Sequence, residues 1–309
     1  MLNAIVYKST GSWYVVKDEH ARVWQARIRG VFKVEGITST NPIAVGDVVT
    51  IVPENDLENT ATIVAIADRI NYIARQSPHN KNQHHIVASN LDQTLLFATL
   101  RDPKTSTGFI DRFLISAEMF HVPAIIVFNK ADVYRAKEMA LYHELHERYT
   151  RIGYQVLLSS TQTGEGANAV RTLLHQKNTL LSGHSGVGKS SFINYLFPEF
   201  QLRVQEVSKW SGKGLHTTTF AEMFDLPQGG AIIDTPGVRE FGLIDVERQE
   251  LSHYFPEMLA TLSGCQFNNC LHVNEPGCAI KQAVIDGIIS EERYVSYVGL
   301  LNDIPEHKY

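Results

Sequence analysis

The run Gly183-His184-Ser185-Gly186-Val187-Gly188-Lys189-Ser190 has the spacing G-x-x-x-x-G-K-S and follows the apolar residues Thr179-Leu180-Leu181. Few folds accommodate such a segment. Its glycines let the backbone wrap closely around an anion, so successive N–H groups and the N-terminus of the next helix converge on a phosphate. Lys189 then reaches the β- and γ-phosphates of a nucleotide, a position that both binds and catalyses. Ser190 enters the shell of a magnesium ion, and Ser191 continues the binding segment. The alternative is a Gly-rich turn before a helix. Four fixed positions between an apolar run and a helical stretch favour the phosphate loop.

The flanking pattern supplies the scaffold. Apolar runs at 94–98, 124–128, 155–158, 180–181 and 231–233 alternate with helical stretches near 109–120, 135–151, 166–176 and 189–196. This predicts a parallel sheet covered by helices on both faces, with ligands beyond the carboxyl ends of its strands. Residues 1–66 differ: short β-branched and aromatic runs separated by Gly, Pro and Asn predict about five strands and a small closed barrel of the OB-fold kind. Arg22, Arg27, Arg29 and Lys33 form either a basic strip beside Trp24 or a solvated strand face. Residues 67–90, with Pro78 and the polar run His79–His85, read as a linker, and the histidines as loop rather than metal site. Residues 91–244 form the α/β core. After about residue 245 the strands stop, and 245–309 hold a cysteine-bearing loop with helices near 278–287 and 290–303.

A chain of 309 residues with 44% hydrophobic and 20% charged content is an ordinary globular protein with room for two or three domains. It shows no eighteen-residue apolar run and no signal-peptide pattern, so a cytoplasmic location without membrane contact is expected. A net charge of −5 does not advertise nucleic-acid binding; an RNA partner needs a local basic patch, and no DNA partner is expected.

Other motifs follow the apolar runs. Asn129-Lys130-Ala131-Asp132 places a carboxylate, Asp132, where it accepts from the N1 and N2 hydrogens of guanine. Adenine lacks that pair of donors and would leave the carboxylate unpaired. Ser159-Ser160 brings backbone groups to the guanine O6. Asp234-Thr235-Pro236-Gly237 places Asp234 to hold Mg²⁺ through water and the Gly237 N–H to sense a γ-phosphate. One of Thr217-Thr218-Thr219, taken as Thr219, serves as the switch threonine on magnesium. Each motif alone has a bland reading as loop or tight turn. Together they describe a site for GTP or GDP with Mg²⁺.

The order is unusual. Ordinary GTPases run phosphate loop, switch threonine, D-x-x-G, N-K-x-D and serine loop; here the last two come first, a re-cutting that a compact domain with neighbouring termini tolerates. With Asn90-Leu91-Asp92-Gln93, Asp111-Arg112-Phe113-Leu114 and Gly214-Leu215-His216-Thr217-Thr218-Thr219, the chain resembles the circularly permuted, ribosome-small-subunit-dependent GTPases (RsgA) over nearly its full length. Leu215 departs from the pattern, where Arg or Gln is frequent. The resemblance implies a multidomain α/β protein with an N-terminal OB-fold, a permuted P-loop GTPase core and a mostly helical C-terminal zinc domain. It also implies late maturation of the small ribosomal subunit, contact with its rRNA and hydrolysis stimulated by that subunit. The chain is expected to act as a monomer.

The cysteines number three, and Cys265, Cys270, His272 and Cys278 follow C-x-x-x-x-C-x-H-x-x-x-x-x-C. Three thiolates and an imidazole make a closed structural zinc set, against the alternative of buried free thiols. The resemblance assigns the same ligands. Val238 follows the D-x-x-G glycine where many GTPases carry a water-positioning glutamine, which predicts slow intrinsic hydrolysis. His216 is the internal candidate for that catalytic role; its alternative is a loop histidine that packs or touches RNA. Two rival classes remain: a P-loop ATPase or nucleotide kinase, and an RNA-binding scaffold with incidental hydrolysis.

Overall fold

The structure, a computed structural model, describes residues 1–28, 41–76, 84–200, 202, 221–235 and 243–305. β1 (Leu2–Ser9), β2 (Tyr14–Asp18), β3 (Val23–Ile28), β4 (Val48–Asn55) and β5 (Thr60–Ile66) form a barrel in the order β1-β2-β3-β5-β4, closed by pairing of β4 with β1. Strand alternation decides what fills it. Val6, Val16, Ile51, Ile63 and Trp24 point inward. Trp24 is 1% exposed, and its indole N–H donates to Asp18 at 2.9 Å. It is core, not a stacking platform. Arg22 lies over that ring at 4.0 Å, while Arg22 and Arg27 pair with Asp56 and Glu54. Arg29 and Lys33 lie outside the described residues.

The stretch expected to be a linker carries its own pairing. β6 (Tyr72–Gln76) and β7 (His84–Ser89) run antiparallel. Both flanks are tied to buried Asp47 of the barrel: Arg69 donates to both carboxylate oxygens at 2.7 and 2.6 Å, and the Ser89 hydroxyl donates at 2.6 Å. Asn90 adds a bond to the Gly46 carbonyl at 2.9 Å. The apolar runs Tyr72-Ile73-Ala74 and Ile86-Val87-Ala88 are the local signal that the Pro78 and histidine context obscured.

The core follows as β8 (Gln93–Ala98), α1 (Thr107–Met119), β9 (Ala124–Phe128), α2 (Ala136–Ile152), β10 (Gln155–Leu158), α3 (Ala167–Leu174), β11 (Lys177–Ser182), α4 (Lys189–Leu196), β12 (Glu222–Asp225) and β13 (Gly230–Asp234). The sheet order is β10-β9-β8-β11-β13-β12, parallel except for β12. Its inner strands are apolar on both faces because helices cover both. Strand β12 lacked a readable signal: it is four residues long and begins and ends on acids. Those acids face the barrel. β1 pairs with β12 with Lys8 opposite Glu222, and Tyr7 and Lys17 both reach Asp225.

Beyond the core lie α5 (Pro256–Leu259), α6 (Ala279–Ile285) and α7 (Glu291–Asp303). Leu251, Phe255, Met258, Tyr297 and Leu301 pack with Ile115 of α1. A buried ion network crosses this joint. Asp111 of α1 accepts from Arg293 Nη1 at 2.8 Å, Tyr149 Oη at 2.9 Å and Ser296 Oγ at 2.5 Å, and Arg293 forks onto Glu257 at 2.6 and 3.2 Å. Arg293 and Asp111 are each 1% exposed. Arg293→Ala leaves two buried carboxylates uncompensated, so α7 should lose about 3–5 kcal/mol of protection against hydrogen exchange. Exchange rates unchanged in α7 would show that the network carries no stability.

Candidate nucleotide site and metal centre

The phosphate loop leaves β11 and enters α4. Gly183 has φ +133°, and a Cβ there would meet the Phe97 carbonyl oxygen at 2.2 Å. Gly188, which caps α4, has φ +91°, and a Cβ would meet Asn129 Nδ2 at 2.6 Å. Only glycine suits either position. Between them, His184 stacks on Phe109 of α1 with ring centroids 3.7 Å apart, Ser185 and Gly186 form the tip, and Val187 is buried beneath it. Ser190 and Ser191 lie in the first turn of α4, where free backbone N–H groups converge.

Lys189 Nζ donates to the carbonyls of Gly183 at 2.6 Å and His184 at 3.0 Å, closing the loop on itself. Burial pulls the Lys189 pKa down, and Asp234 opposes that pull. Burial pushes the Asp234 carboxyl up, and Lys189 opposes it in turn. Each charge is therefore costly alone. An anion beside Lys189 and a cation beside Asp234 would supply the compensation that these buried charges call for.

The motifs converge through Asn129. This buried residue follows β9, donates from Nδ2 to the Val187 carbonyl at 2.9 Å and accepts at Oδ1 from the Ser159 hydroxyl at 3.0 Å. Lys130 takes the left-handed conformation, φ +65°, and its ammonium reaches the Asp102 carbonyl at 2.7 Å. Asp132 is exposed and accepts from Ser160 Oγ at 2.5 Å. Thr235 Oγ1 donates to the Leu181 carbonyl at 3.2 Å, holding the end of β13 beside the phosphate loop. The structure brings the phosphate loop, Asn129, Asp132, Ser159, Ser160 and Asp234 to one end of the sheet. His216, Thr219 and Gly237 lie outside the described residues. Tyr134 escaped the motif reading; its hydroxyl donates to the Asn129 carbonyl at 2.7 Å.

The second centre lies in the C-terminal region. Ligand atoms of Cys265, Cys270, His272 and Cys278 fall within 4.8 Å of one another. His272 Nδ1 is 3.6 Å from Cys265 Sγ and 3.4 Å from Cys278 Sγ. A zinc tetrahedron with these donors has edges of about 3.5–3.8 Å, so the set fits. Burial, joined by neighbouring Cys278, pushes the Cys270 thiol up to about 12. A bound divalent cation would favour the thiolate instead. Burial also lowers the His272 pKa, favouring the neutral ring that coordinates metal. Burial of Glu275 opposes its ionisation, but backbone N–H groups of Leu271, Val273 and Asn274 hold its carboxyl below the usual range. From α7, Tyr294 and Tyr297 donate to the His272 and Leu271 carbonyls at 2.6 and 2.9 Å.

Two outcomes are expected. Gly188→Ala, which forces the Asn129 amide aside, should weaken nucleotide binding at least about tenfold by titration calorimetry; wild-type affinity would contradict the packing argument. Cys278→Ser should reduce bound zinc by elemental analysis from one per chain towards zero and accelerate hydrogen exchange across α6 and α7.

Comparison with known proteins agrees with this geometry. The profile of the RsgA GTPase matches residues 66–244, and that of the RsgA N-terminal domain matches residues 4–63. A Bacteroides fragilis protein named small ribosomal subunit biogenesis GTPase RsgA is 49% identical over 308 residues, covering 100% of this chain and 99% of the relative. A Flavobacterium psychrophilum protein of the same name is 47% identical, covering 97% of this chain and 92% of its own. The crystal structure of YjeQ from Thermotoga maritima superimposes with a TM-score of 0.77 at 32% identity, covering 98% of each chain. YloQ, titled a circularly permuted GTPase, gives 0.73 at 30% identity over 100% of this chain and 96% of its own. With its strands and motifs in the permuted order and its profile match spanning most of the chain, this protein belongs to the RsgA GTPase family.

Proposed function

We propose that this chain hydrolyses GTP during late maturation of the small ribosomal subunit and that the subunit stimulates the reaction. One observation carries the nucleotide reading. Asn129 hydrogen-bonds the phosphate loop and the serine loop at once, so the group that reads the purine and the ammonium that grips the triphosphate address one molecule. The subunit reading rests on the names borne by relatives that align along this whole chain.

In this reading the chain divides into a barrel (1–66), a connecting sheet (67–90), a GTPase core (91–244) and a zinc domain (245–309). Backbone N–H groups of Gly183–Ser191 cradle the phosphates, Lys189 neutralises charge on the β- and γ-oxygens, and Asp132 accepts from guanine. Ser190, Thr219 and Asp234 hold Mg²⁺, which supplies charge neutralisation on the phosphate oxygens when bound. Val238 cannot orient water, so His216 takes that task in the subunit-stimulated reaction. The protein works as a cytoplasmic monomer against rRNA.

Nucleotide state reaches the partner surface through two unlike joints. The barrel is hydrogen-bonded to β12, the strand just downstream of Thr217–Thr219. The zinc domain is pinned to α1 by Arg293. Relaxation of the switch on loss of γ-phosphate should therefore shift the barrel against the zinc domain and govern docking and release.

Purified small subunits should raise GTP turnover by at least about tenfold, and His216→Ala should remove most of that gain while GTP affinity stays near wild type. No stimulation would favour a scaffold. Displacement of bound GTP by equimolar ATP would favour an ATPase or nucleotide kinase. Distance labels on the barrel and zinc domain should report different separations with GDP and a GTP analogue; identical separations would break the proposed coupling.

A further inference from the structure

Asp132 is exposed, and among the described residues only the Ser160 hydroxyl bonds its carboxylate. Its aim is therefore set largely by the backbone that carries it. That backbone is a single 3₁₀ turn, Ala131–Val133, and a cross-brace grips the turn from both sides. On the downstream side, the Tyr134 N–H donates to the Ala131 carbonyl at 3.0 Å, while its hydroxyl reaches back to the Asn129 carbonyl at 2.7 Å. The same hydroxyl accepts from the Leu100 N–H at 3.0 Å, tying the turn to the exit of β8. Two parallel links repeat the connection. Arg101 Nη1 donates to the Val133 carbonyl at 3.2 Å, and Lys130 Nζ donates to the Asp102 carbonyl at 2.7 Å. Residues on both sides of Asp132 are thus stitched to one loop, 100–102.

We propose that Tyr134 is the specificity-determining positioning residue of the base site: its hydroxyl, clamped between the Leu100 N–H and the Asn129 carbonyl, fixes the turn that aims Asp132 at the guanine N1 and N2 hydrogens. The inference rests on the guanine-nucleotide reading above. Two features support it beyond the contacts themselves. Burial holds the Tyr134 proton up to about 12, so the hydroxyl remains a donor to Asn129 at neutral pH. The carbonyl it holds belongs to the residue whose side chain binds the phosphate loop, so Tyr134 orders base and phosphate recognition together. Discrimination by paired hydrogen bonds depends steeply on geometry, and a loosened carboxylate makes the second bond poorly.

The test compares GDP with IDP, which lacks the 2-amino group and so offers Asp132 one donor instead of two. Both are titrated against wild type and Tyr134→Phe, with a thermal melt of each protein. Wild type should prefer GDP at least about tenfold. Tyr134→Phe should cut that GDP-to-IDP ratio at least about threefold, because GDP loses more than IDP when the carboxylate wanders. Arg101→Met, which removes the parallel link at Val133, should move the ratio the same way by less and keeps the idea testable if the tyrosine variant melts. A general packing role predicts weaker binding of both nucleotides with the ratio unchanged, and that result overturns the proposal. Wild-type protein that binds GDP and IDP equally would instead remove the guanine reading beneath it.

Discussion

The geometry of the nucleotide site depends on a buried side-chain amide. Asn129 sits just past the carboxyl end of β9, with its side-chain N–H group on the phosphate loop and its side-chain oxygen on the serine loop. An amide suits this place because it offers a donor and an acceptor without charge, and burial penalises neither once both are paired. A carboxylate could not donate to Val187, and a lysine could not accept from Ser159. The surrounding glycines obey the same constraint: Gly188 lacks a Cβ because the Asn129 amide occupies that space. Loop conformation and side-chain identity are therefore coupled across nearly sixty residues of sequence.

That coupling explains why the order of motifs along the chain matters so little. The site is assembled at the ends of β8, β9, β10, β11 and β13, and each motif needs only its own strand and its neighbours. The hydrogen bonds run between strand ends, not along the chain. Moving the cut point leaves every such contact intact, provided the old termini are close enough to join. What changes is the attachment of domains. The permuted core now starts beside the barrel and ends beside the zinc region, with the base-reading half synthesised before the phosphate-binding half.

Much of this was legible in the sequence because the constraints are local. Gly183 and Gly188 at positive φ, the β-branched and aromatic residues of β3 between turn residues, and the cysteine spacing each leave a short-range pattern. The barrel strands, the parallel core and the last helices appear where that pattern placed them. Other features carried no such signal. Trp24 stands among arginines that left a basic strip or a solvated strand face open, and nothing local shows that its indole N–H finds Asp18 inside the barrel. Asp111 and Arg293 are separated by 182 positions, so their pairing cannot be read from spacing. Strand β12 is held by its neighbours rather than by propensity. Tyr134 stands two residues past the motif, and its role depends on Leu100, which only the fold brings near.

The two domain joints differ in kind, and the difference has mechanical consequences. The strands that lead into the core hold the barrel through buried Asp47 and Arg69, but where the barrel meets β12 the charges are half exposed, with Lys8 and Glu222 side chains 34% and 40% accessible. Surface pairs of that sort contribute about 0–1 kcal/mol and weaken with salt, so they resist displacement little. At the zinc joint Arg293 and Asp111 are sealed from water, and separating them strands a charge in a low-dielectric interior. In the proposed coupling, a nucleotide-dependent push on the core meets less resistance at the β1–β12 contact than at Arg293. Arg293 holds the C-terminal helices to the core and Tyr294 and Tyr297 hold the cysteine-bearing loop to α7, whereas β1 meets β12 at Lys8 opposite Glu222. Stiffness at the zinc joint is set by burial of charge: the same desolvation that costs folding energy at Arg293 makes its separation from Asp111 costly.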